Sequence, residues 1–124
     1  RKLKEYEEEL EMMVKAVMTK YPGSSYDFEV QEQYRNMKEV VDRHPEIVQN
    51  MEAAIAKAGL SPQKGAIRGG TDGSRLSFMG LPCPNLFTGM QGIHSKYEWV
   101  AVQDIEKAAE TIVHLAAIWT EEKK

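Results

Sequence analysis

Residues 67–89 read IRGGTDGSRLSFMGLPCPNLFTG, and the interpretation of the whole chain begins with this stretch. The overlapping segment 68–102 holds six of the nine glycines and shows little helical or strand periodicity. Loop-rich sequence of this kind is where binding sites are usually built, on a scaffold that the flanking elements supply. We therefore expect a site within 68–102, supported by helices on either side.

The run Arg68-Gly69-Gly70-Thr71-Asp72-Gly73 is the first candidate site. Successive glycines let main-chain amides approach a ligand closely, and amides opening a helix near Ser74 would favour an anion. Arg68 offers a forked donor that suits a carboxylate or a phosphate. The alternative is a tight turn in which Asp72 caps the following helix. The spacing matches neither a P-loop nor a dinucleotide fingerprint.

His94 is the second candidate, because it lies in a loop, Gly92–Glu98, rather than within a helical pattern. One ring nitrogen could bind a metal while Glu98 or a backbone carbonyl steadies the other. The alternative is a solvated or structural loop histidine. His44 precedes Pro45 and is expected at a helix entry, and His114 is expected to be a packing or surface residue. A zinc site needs three or four ligands, which this sequence does not cluster.

Helical periodicity predicts three long helices, over residues 1–21, 36–59 and about 103–119. The buried stripe of the first is expected to be Leu3, Tyr6, Leu10, Met13, Val17 and Tyr21. That of the second is Ile47, Val48, Met51, Ala54, Ile55 and Ala58, and that of the last is Ile105, Ala109, Ile112, Ala116 and Trp119. Alternating apolar residues predict a strand over 26–34, and shorter strands are expected at 64–67 and 85–88.

These elements predict a joint near Asn36–Lys38, with a helix–strand pair before it and an α/β block after it. The first helix begins without a Ser, Thr, Asp or Asn cap. A single helix and strand cannot complete a sheet. We therefore expect the chain to have been cut from a longer polypeptide.

Composition narrows the class of protein. The chain has 124 residues, of which 42% are apolar, and a formal net charge of −3 with no basic block. We therefore expect no nucleic-acid partner. No run of 18 apolar residues is present, so we expect no membrane-spanning segment. The one cysteine, Cys83, cannot form an internal disulfide, and a reducing cytoplasmic location is expected.

Residues 67–73 and 76–89 closely resemble the C-terminal end of the peptidase T family of tripeptide aminopeptidases. Those enzymes belong to the two-zinc metallopeptidases that also include carboxypeptidase G and the aminoacylases. The similarity extends upstream through Tyr34 and His44-Pro45 and downstream to His94, Glu98 and the last helix. It therefore covers essentially the whole chain.

The resemblance implies an α/β fold in which a catalytic domain is interrupted by an inserted lid or dimerisation domain. Residues 1–37 would be the last helix and strand of that lid. Residues 38–124 would be the C-terminal part of the catalytic domain. The partners implied are a tripeptide substrate and the remainder of the parent chain, and uncovered apolar surface would favour homo-oligomers.

The resemblance also implies a site. In that family two zinc ions are bound near a glutamate that acts as general base, and most of the ligands lie upstream of the part matched here. Only the last ligand, a histidine, carries over, onto His94, with Glu98 as its support. Residues Arg68, Gly69, Gly70, Thr71 and Asp72 would line the substrate cleft.

The implied reaction is release of the N-terminal residue of a tripeptide by attack of a zinc-bound hydroxide on the first peptide bond. The chain alone, without the general base, is expected to be inactive. Two alternatives come from other classes of protein. One is a non-enzymatic binding or oligomerisation module that pairs through a strand edge at 26–33. The other is a phosphate-binding domain that uses the glycine run.

Overall fold

The described chain is helical. The computed structural model describes residues 2–67 and 69–121, and Arg1, Arg68 and residues 122–124 lie outside the described residues. The elements, in chain order, are α1 Lys2–Met18, α2 Lys38–Val41, α3 Pro45–Lys57, α4 Asp72–Phe78 and α5 Val102–Glu121. They divide into two compact units, Arg1–Gln33 and Tyr34–Lys124. None of the described helices is long and apolar enough to cross a membrane.

The first unit consists of α1 and the segment that follows it. Glu11 and Lys15, one turn apart on α1, form an ion pair of 2.9 Å, and the hydrogen bond to Glu11 raises the pKa of Lys15. Between Lys2 and Met18 the helix buries no residue. Its apolar stripe is therefore present as predicted by the periodicity, but the side chains expected to be buried are exposed. The helix ends three residues earlier than predicted.

The predicted strands are absent from the described residues. Residues 24–36 have no regular secondary structure, and the same holds for 64–67 and 85–88. No described backbone-to-backbone hydrogen bond engages residues 26–33. A strand needs a neighbouring strand to pair its N–H and C=O groups, and the described chain provides no such neighbour. The alternation of apolar and polar residues at 26–34 therefore shows that these side chains suit a sheet, although the part of the chain that the structure describes forms no sheet here.

Proline divides the second predicted helix. The pattern over 36–59 becomes two helices, α2 and α3, separated by Asp42, Arg43 and His44. His44 has non-helical dihedral angles, φ −130° and ψ 62°, at the N-cap of α3. Because the ring of Pro45 excludes the preceding residue from the α-helical region, the helix has to break there. The expected role of His44 as a helix-entry residue is confirmed.

The second unit is organised by the packing of α3 on α5. Ala54 and Thr111 are completely buried, and Ala58 and Ile118 are nearly so. The predicted face of α3 is confirmed, because each of its six residues is buried or half-buried. The Nζ of Lys107 donates a hydrogen bond of 2.8 Å to the Ala58 carbonyl at the end of α3. A polar contact thus fixes the relative position of the two helices along their axes.

The buried face of α5 differs from the predicted one. Its buried or half-buried side carries Ala108, Thr111, Leu115 and Ile118, and α3 is the helix in contact with α5. Of the residues expected to face inward only Trp119 is half-buried, whereas the others are exposed, with Ile112 at 56%. They are Ile105, Ala109, Ile112 and Ala116. The helix carries apolar residues on two sides, and a 3.6-residue period fits either side equally well. Periodicity alone therefore could not identify the face that packs.

Substituting Ala54 by Leu should destabilise the second unit. Ala54 is completely buried against α5, so the larger side chain has no space, and overpacking of this kind typically costs about 1–3 kcal/mol. Ala53→Leu is the matched control, since Ala53 is the next residue on the same helix and is exposed. Urea unfolding followed by circular dichroism measures both. Equal midpoints for the two variants would contradict the α3–α5 packing.

Candidate functional site

The predicted substrate-binding residues lie together at the start of α4. Gly69 and Gly70 are exposed, with Gly69 in the left-handed region at φ 87°. Thr71 is the N-cap residue, and Asp72 is the first residue of the helix. Asp72 is therefore not the cap that a tight turn would have used. Arg68, the fifth residue of the predicted set, lies outside the described residues.

Thr71 connects this run to the loop that follows α4. Its Oγ1 donates a hydrogen bond of 3.1 Å to Oδ1 of Asn85, fourteen residues further along the chain. The hydroxyl makes no capping hydrogen bond to its own helix. The threonine side chain thus supports the tertiary position of the glycine run rather than the end of the helix.

Two glycines of the run are required by the close approach of other groups. A Cβ atom on Gly70 would overlap the ring of Tyr34, which lies directly against the backbone at that point. A Cβ atom on Gly73 would overlap the carbonyl oxygen of Cys83. The run is therefore rich in glycine partly for packing, and among its three glycines only Gly69 has a positive φ.

Buried serines on α4 hold the segments on either side of it. Ser74 is 3% exposed, and its Oγ donates to the carbonyl oxygen of Arg35. Ser77 is 2% exposed, and its Oγ donates to the Gly73 carbonyl at 2.7 Å while it accepts the N–H of Cys83 at 2.9 Å. Both buried hydroxyls thus have hydrogen-bond partners, as buried polar groups usually do.

Arg35 contacts α4 through its side chain as well as through its carbonyl oxygen. Its guanidinium carbon lies 4.4 Å from the centre of the Phe78 ring, a distance at which a cation and an aromatic face attract. Tyr34 and Arg35 thus fix the segment before α2 against α4. Sequence reasoning did not identify these two residues or the two serines as part of the site. The signal that could have found them is a pair of serines three residues apart in a short helix next to a glycine run.

The second predicted site, the loop Gly92–Glu98, is closed at its base by a β-bridge and contains internal hydrogen bonds. At its base Gln91 and Trp99 exchange two backbone hydrogen bonds, of 2.8 and 3.1 Å, as an isolated antiparallel bridge. Inside the loop the Ser95 hydroxyl donates to the Gly92 carbonyl at 2.7 Å and accepts the Tyr97 N–H at 3.1 Å. The loop therefore has a defined shape although its side chains are exposed.

His94 lies within this loop in an unusual conformation. Among the described residues it is the one non-glycine residue with positive φ, at 63°. This left-handed conformation costs an L-residue about 1–2 kcal/mol. Its backbone N–H donates a hydrogen bond of 2.9 Å to Oε2 of Glu98. The imidazole itself is exposed, and within the described chain no hydrogen bond or ion pair engages it.

The structure shows a contact between Glu98 and the main chain of His94, whereas the contact expected from the sequence was to a ring nitrogen. No described hydrogen bond or ion pair joins this pair to the glycine run. The other two histidines are each near a glutamate: Nδ1 of His44 lies 3.3 Å from Glu46, and Nε2 of His114 lies 3.7 Å from Glu110. His114 is half-buried on α5, as expected of a packing or surface residue.

A complete metal site is not found in the part of the chain that the structure describes. No group of three or more His, Cys, Asp or Glu residues there could hold a metal ion. The exposed imidazole of His94 fits the requirement for one ligand. The remaining ligands of a zinc site would have to come from outside the described residues.

Comparison with known proteins identifies the family of this chain. A family model described as peptidase family M20/M25/M40 matches residues 5–118. This chain belongs to that peptidase family. The match includes both candidate groups, the glycine run with α4 and the loop that carries His94.

Relatives within the family are similar over most of this chain. Peptidase T of Caldanaerobacter subterraneus is 44% identical over 116 residues, which are 94% of this chain and 28% of the relative. Peptidase T of Clostridium perfringens is 42% identical over 118 residues, 95% of this chain and 29% of the relative. Peptidase T of Shewanella pealeana is 50% identical over 95 residues, 77% and 23% respectively. The chain spans between a quarter and a third of the length of the first two.

Substituting Gly73 by Ala should destabilise this member of the peptidase family. Alanine normally stabilises a helix relative to glycine by about 0.8–1.0 kcal/mol. At position 73, however, the added carbon would meet the Cys83 carbonyl oxygen, and we expect a net loss of about 1–3 kcal/mol. Gly65→Ala is the control, because nothing lies within 4 Å of a Cβ built there.

Denaturant unfolding of both glycine variants, compared with the wild-type chain, measures the effect. Unchanged or increased stability of Gly73→Ala would show that the loop 81–85 does not lie against α4 as described.

Proposed function

We propose that this chain is the C-terminal part of a zinc-dependent tripeptide aminopeptidase, which releases the N-terminal residue of its substrate. The observation that carries the proposal is the exposed imidazole of His94, free of partners among the described residues, in a chain that matches a peptidase family over residues 5–118. Relatives named Peptidase T support a peptidase, and tripeptides are proposed as the substrate class from the family resemblance of residues 67–89.

Zinc is the cofactor that we propose for the complete enzyme, in two ions per active site. His94 would supply one ligand, and further polypeptide would supply the rest, because the described residues hold no cluster of three. Zinc, when bound, lowers the pKa of water and polarises a peptide carbonyl. The chain's own part would be to present one imidazole from a loop whose shape is fixed by internal hydrogen bonds.

The glycine run is proposed as part of the substrate cleft. Gly69 and Gly70 are exposed, so their main chain is accessible to a peptide. The ring of Tyr34 lies directly beside Gly70 and would form one side of that cleft. Thr71 would then act mainly by holding the run in place, since its hydroxyl is bonded to Asn85, and Asp72 remains a proposed cleft residue. Arg68 remains a proposed carboxylate-binding residue on sequence grounds alone.

We also propose the domain arrangement implied by the family resemblance. Residues 1–37 would end a lid domain, and 38–124 would end an α/β catalytic domain whose sheet comes largely from the remaining polypeptide. The exposed apolar side of α5, with Ile105 and Ile112, is then expected to pack against that polypeptide, since each residue covers considerable apolar area. A cytoplasmic location remains a prediction from the single cysteine.

A non-enzymatic binding or oligomerisation module is the second candidate. It is favoured by one observation, the exposed apolar stripe of α1, in which Leu3, Tyr6 and Leu10 are each more than half exposed. Apolar surface of this extent is commonly covered by a partner. The peptidase proposal requires that the remaining zinc ligands belong to the same protein as this chain. The binding module does not require them.

Replacing His94 by Ala in the complete enzyme should reduce zinc binding and tripeptide hydrolysis together. A catalytic zinc is usually held by only three protein ligands, so losing one should weaken zinc binding by more than about 100-fold. His44→Ala is the control, because that imidazole is also exposed and lies near a glutamate. Zinc per chain, measured by elemental analysis after dialysis against a chelator, should fall only in His94→Ala. Equal zinc content in both variants would exclude His94 as a ligand.

The 124-residue chain by itself should not hydrolyse tripeptides. Added Zn²⁺ or Co²⁺ should not change this, because a single imidazole cannot hold a catalytic ion against water and buffer. The measurement is release of a free amino acid from a tripeptide, with the complete enzyme as positive control. Turnover by the chain that is abolished by His94→Ala would mean that the active site is complete within these residues.

A further inference from the structure

The way in which His94 is held suggests a specific role for Glu98. Two features of the main chain meet at residue 94, the left-handed conformation at φ 63° and the hydrogen bond of 2.9 Å from its N–H to Oε2 of Glu98. A non-glycine residue adopts this conformation rarely and only when its surroundings enforce it. A hydrogen bond to an ionised carboxylate is stronger than one between neutral groups. Glu98 is therefore the side chain best placed to enforce it.

We propose that Glu98 is a positioning residue that sets the direction of the His94 imidazole by holding the main chain of residue 94. This inference rests on the proposed function, in which His94 is a metal ligand. It differs from the usual arrangement, in which a carboxylate accepts a hydrogen bond from the ring nitrogen of the ligand. In this loop the described contact of Glu98 is to the backbone, and the ring makes none.

The remainder of the loop makes this mechanism possible. Ser95 joins the Gly92 carbonyl and the Tyr97 N–H through its hydroxyl, and its own carbonyl accepts the N–H of Glu98 at 3.2 Å. The backbone on both sides of Glu98 is thereby fixed, because Trp99 pairs with Gln91. The carboxylate thus acts from a fixed point of the loop.

A ring directed in this way keeps both of its nitrogens available. One can bind the metal, and the other remains free for an acceptor on other polypeptide. The left-handed backbone also changes the direction of the Cα–Cβ bond relative to an extended residue at the same place. Losing the Glu98 hydrogen bond would therefore let residue 94 return to a commoner conformation and turn the imidazole away from the metal.

The test uses three variants of the complete enzyme, Glu98→Ala, Glu98→Gln and Glu106→Ala. Zinc affinity is measured by competition with a chromogenic chelator. Glu98→Ala should weaken zinc binding by about 10–100-fold, the range typical for groups that orient a ligand. Glu98→Gln should restore most of the affinity, since its amide oxygen can accept the same N–H. Glu106, exposed on α5, is the control and should leave the affinity unchanged.

A second readout reports on the backbone directly. Hydrogen exchange of the His94 amide, measured by NMR on the 124-residue chain, should be faster in Glu98→Ala and close to wild type in Glu98→Gln. An effect on the ring alone would leave this amide unchanged. Thermal melting of each variant identifies any that lose zinc only because they unfold.

The outcomes separate this inference from the proposed function. If His94→Ala loses zinc but Glu98→Ala does not, His94 remains a ligand and the role of Glu98 is wrong. If Glu98→Ala and Glu98→Gln lose zinc equally while folded, the hydrogen-bond acceptor is not what matters, and the inference is likewise overturned. If His94→Ala itself keeps its zinc, the proposed function fails and the inference fails with it.

Discussion

The packing of α3 on α5 is the contact on which the second unit depends. It is made by small side chains, with Ala54 and Thr111 completely buried where the two helices meet. The Thr111 hydroxyl is satisfied inside its own helix, by the Lys107 carbonyl at 2.8 Å, so its burial leaves no polar group without a partner. With both helices fixed, the ends of the segment between them are fixed too. That segment, residues 58–101, contains both candidate groups.

Within this segment order is maintained by hydrogen bonds more than by apolar burial. Four residues of the second unit form the buried apolar set, namely Val41, Ala54, Ala58 and Ile118, and none of them lies between 59 and 101 in the described chain. The site region instead relies on hydroxyl groups, those of Thr71, Ser74 and Ser77 around α4 and that of Ser95 in the His94 loop. Because hydrogen bonds are directional, a few side chains are enough to fix a loop in this way.

The sequence predicted the parts of this arrangement that depend on local pattern. The long helices and the packing face of α3 follow from periodicity. The break before Pro45 was not predicted, because the pattern over 36–59 was interpreted as one helix. The face of α5 was predicted incorrectly, because Ile105 and Ile112 give the same period as Ala108 and Leu115. The strand at 26–34 was predicted from alternation, which records suitability for a sheet but not the presence of a neighbour.

The sequence indicated candidate site residues but not the contacts that hold them. The glycine run and His94 were identified by residue type and by their position in loops. The contacts that hold the glycine run and α4, from Tyr34, Ser74 and Asn85, join residues 14 to 39 positions apart. No local pattern encodes such a pairing. The contact of Glu98 with a backbone N–H in place of a ring nitrogen accompanies the positive φ of His94. The sequence does not indicate that a histidine will adopt this conformation.

The attachment of Tyr34 and Arg35 to α4 bears on how this polypeptide can be divided. The boundary between the two compact units falls between Gln33 and Tyr34. From Tyr34 onward the backbone is committed to the glycine run and to α4, by the ring over Gly70 and by the Arg35 carbonyl that Ser74 binds. A domain swap or an inserted linker is thus best joined ahead of residue 34. A junction only two residues later would replace Tyr34 and Arg35, and the contacts that keep the glycine run in place would be lost.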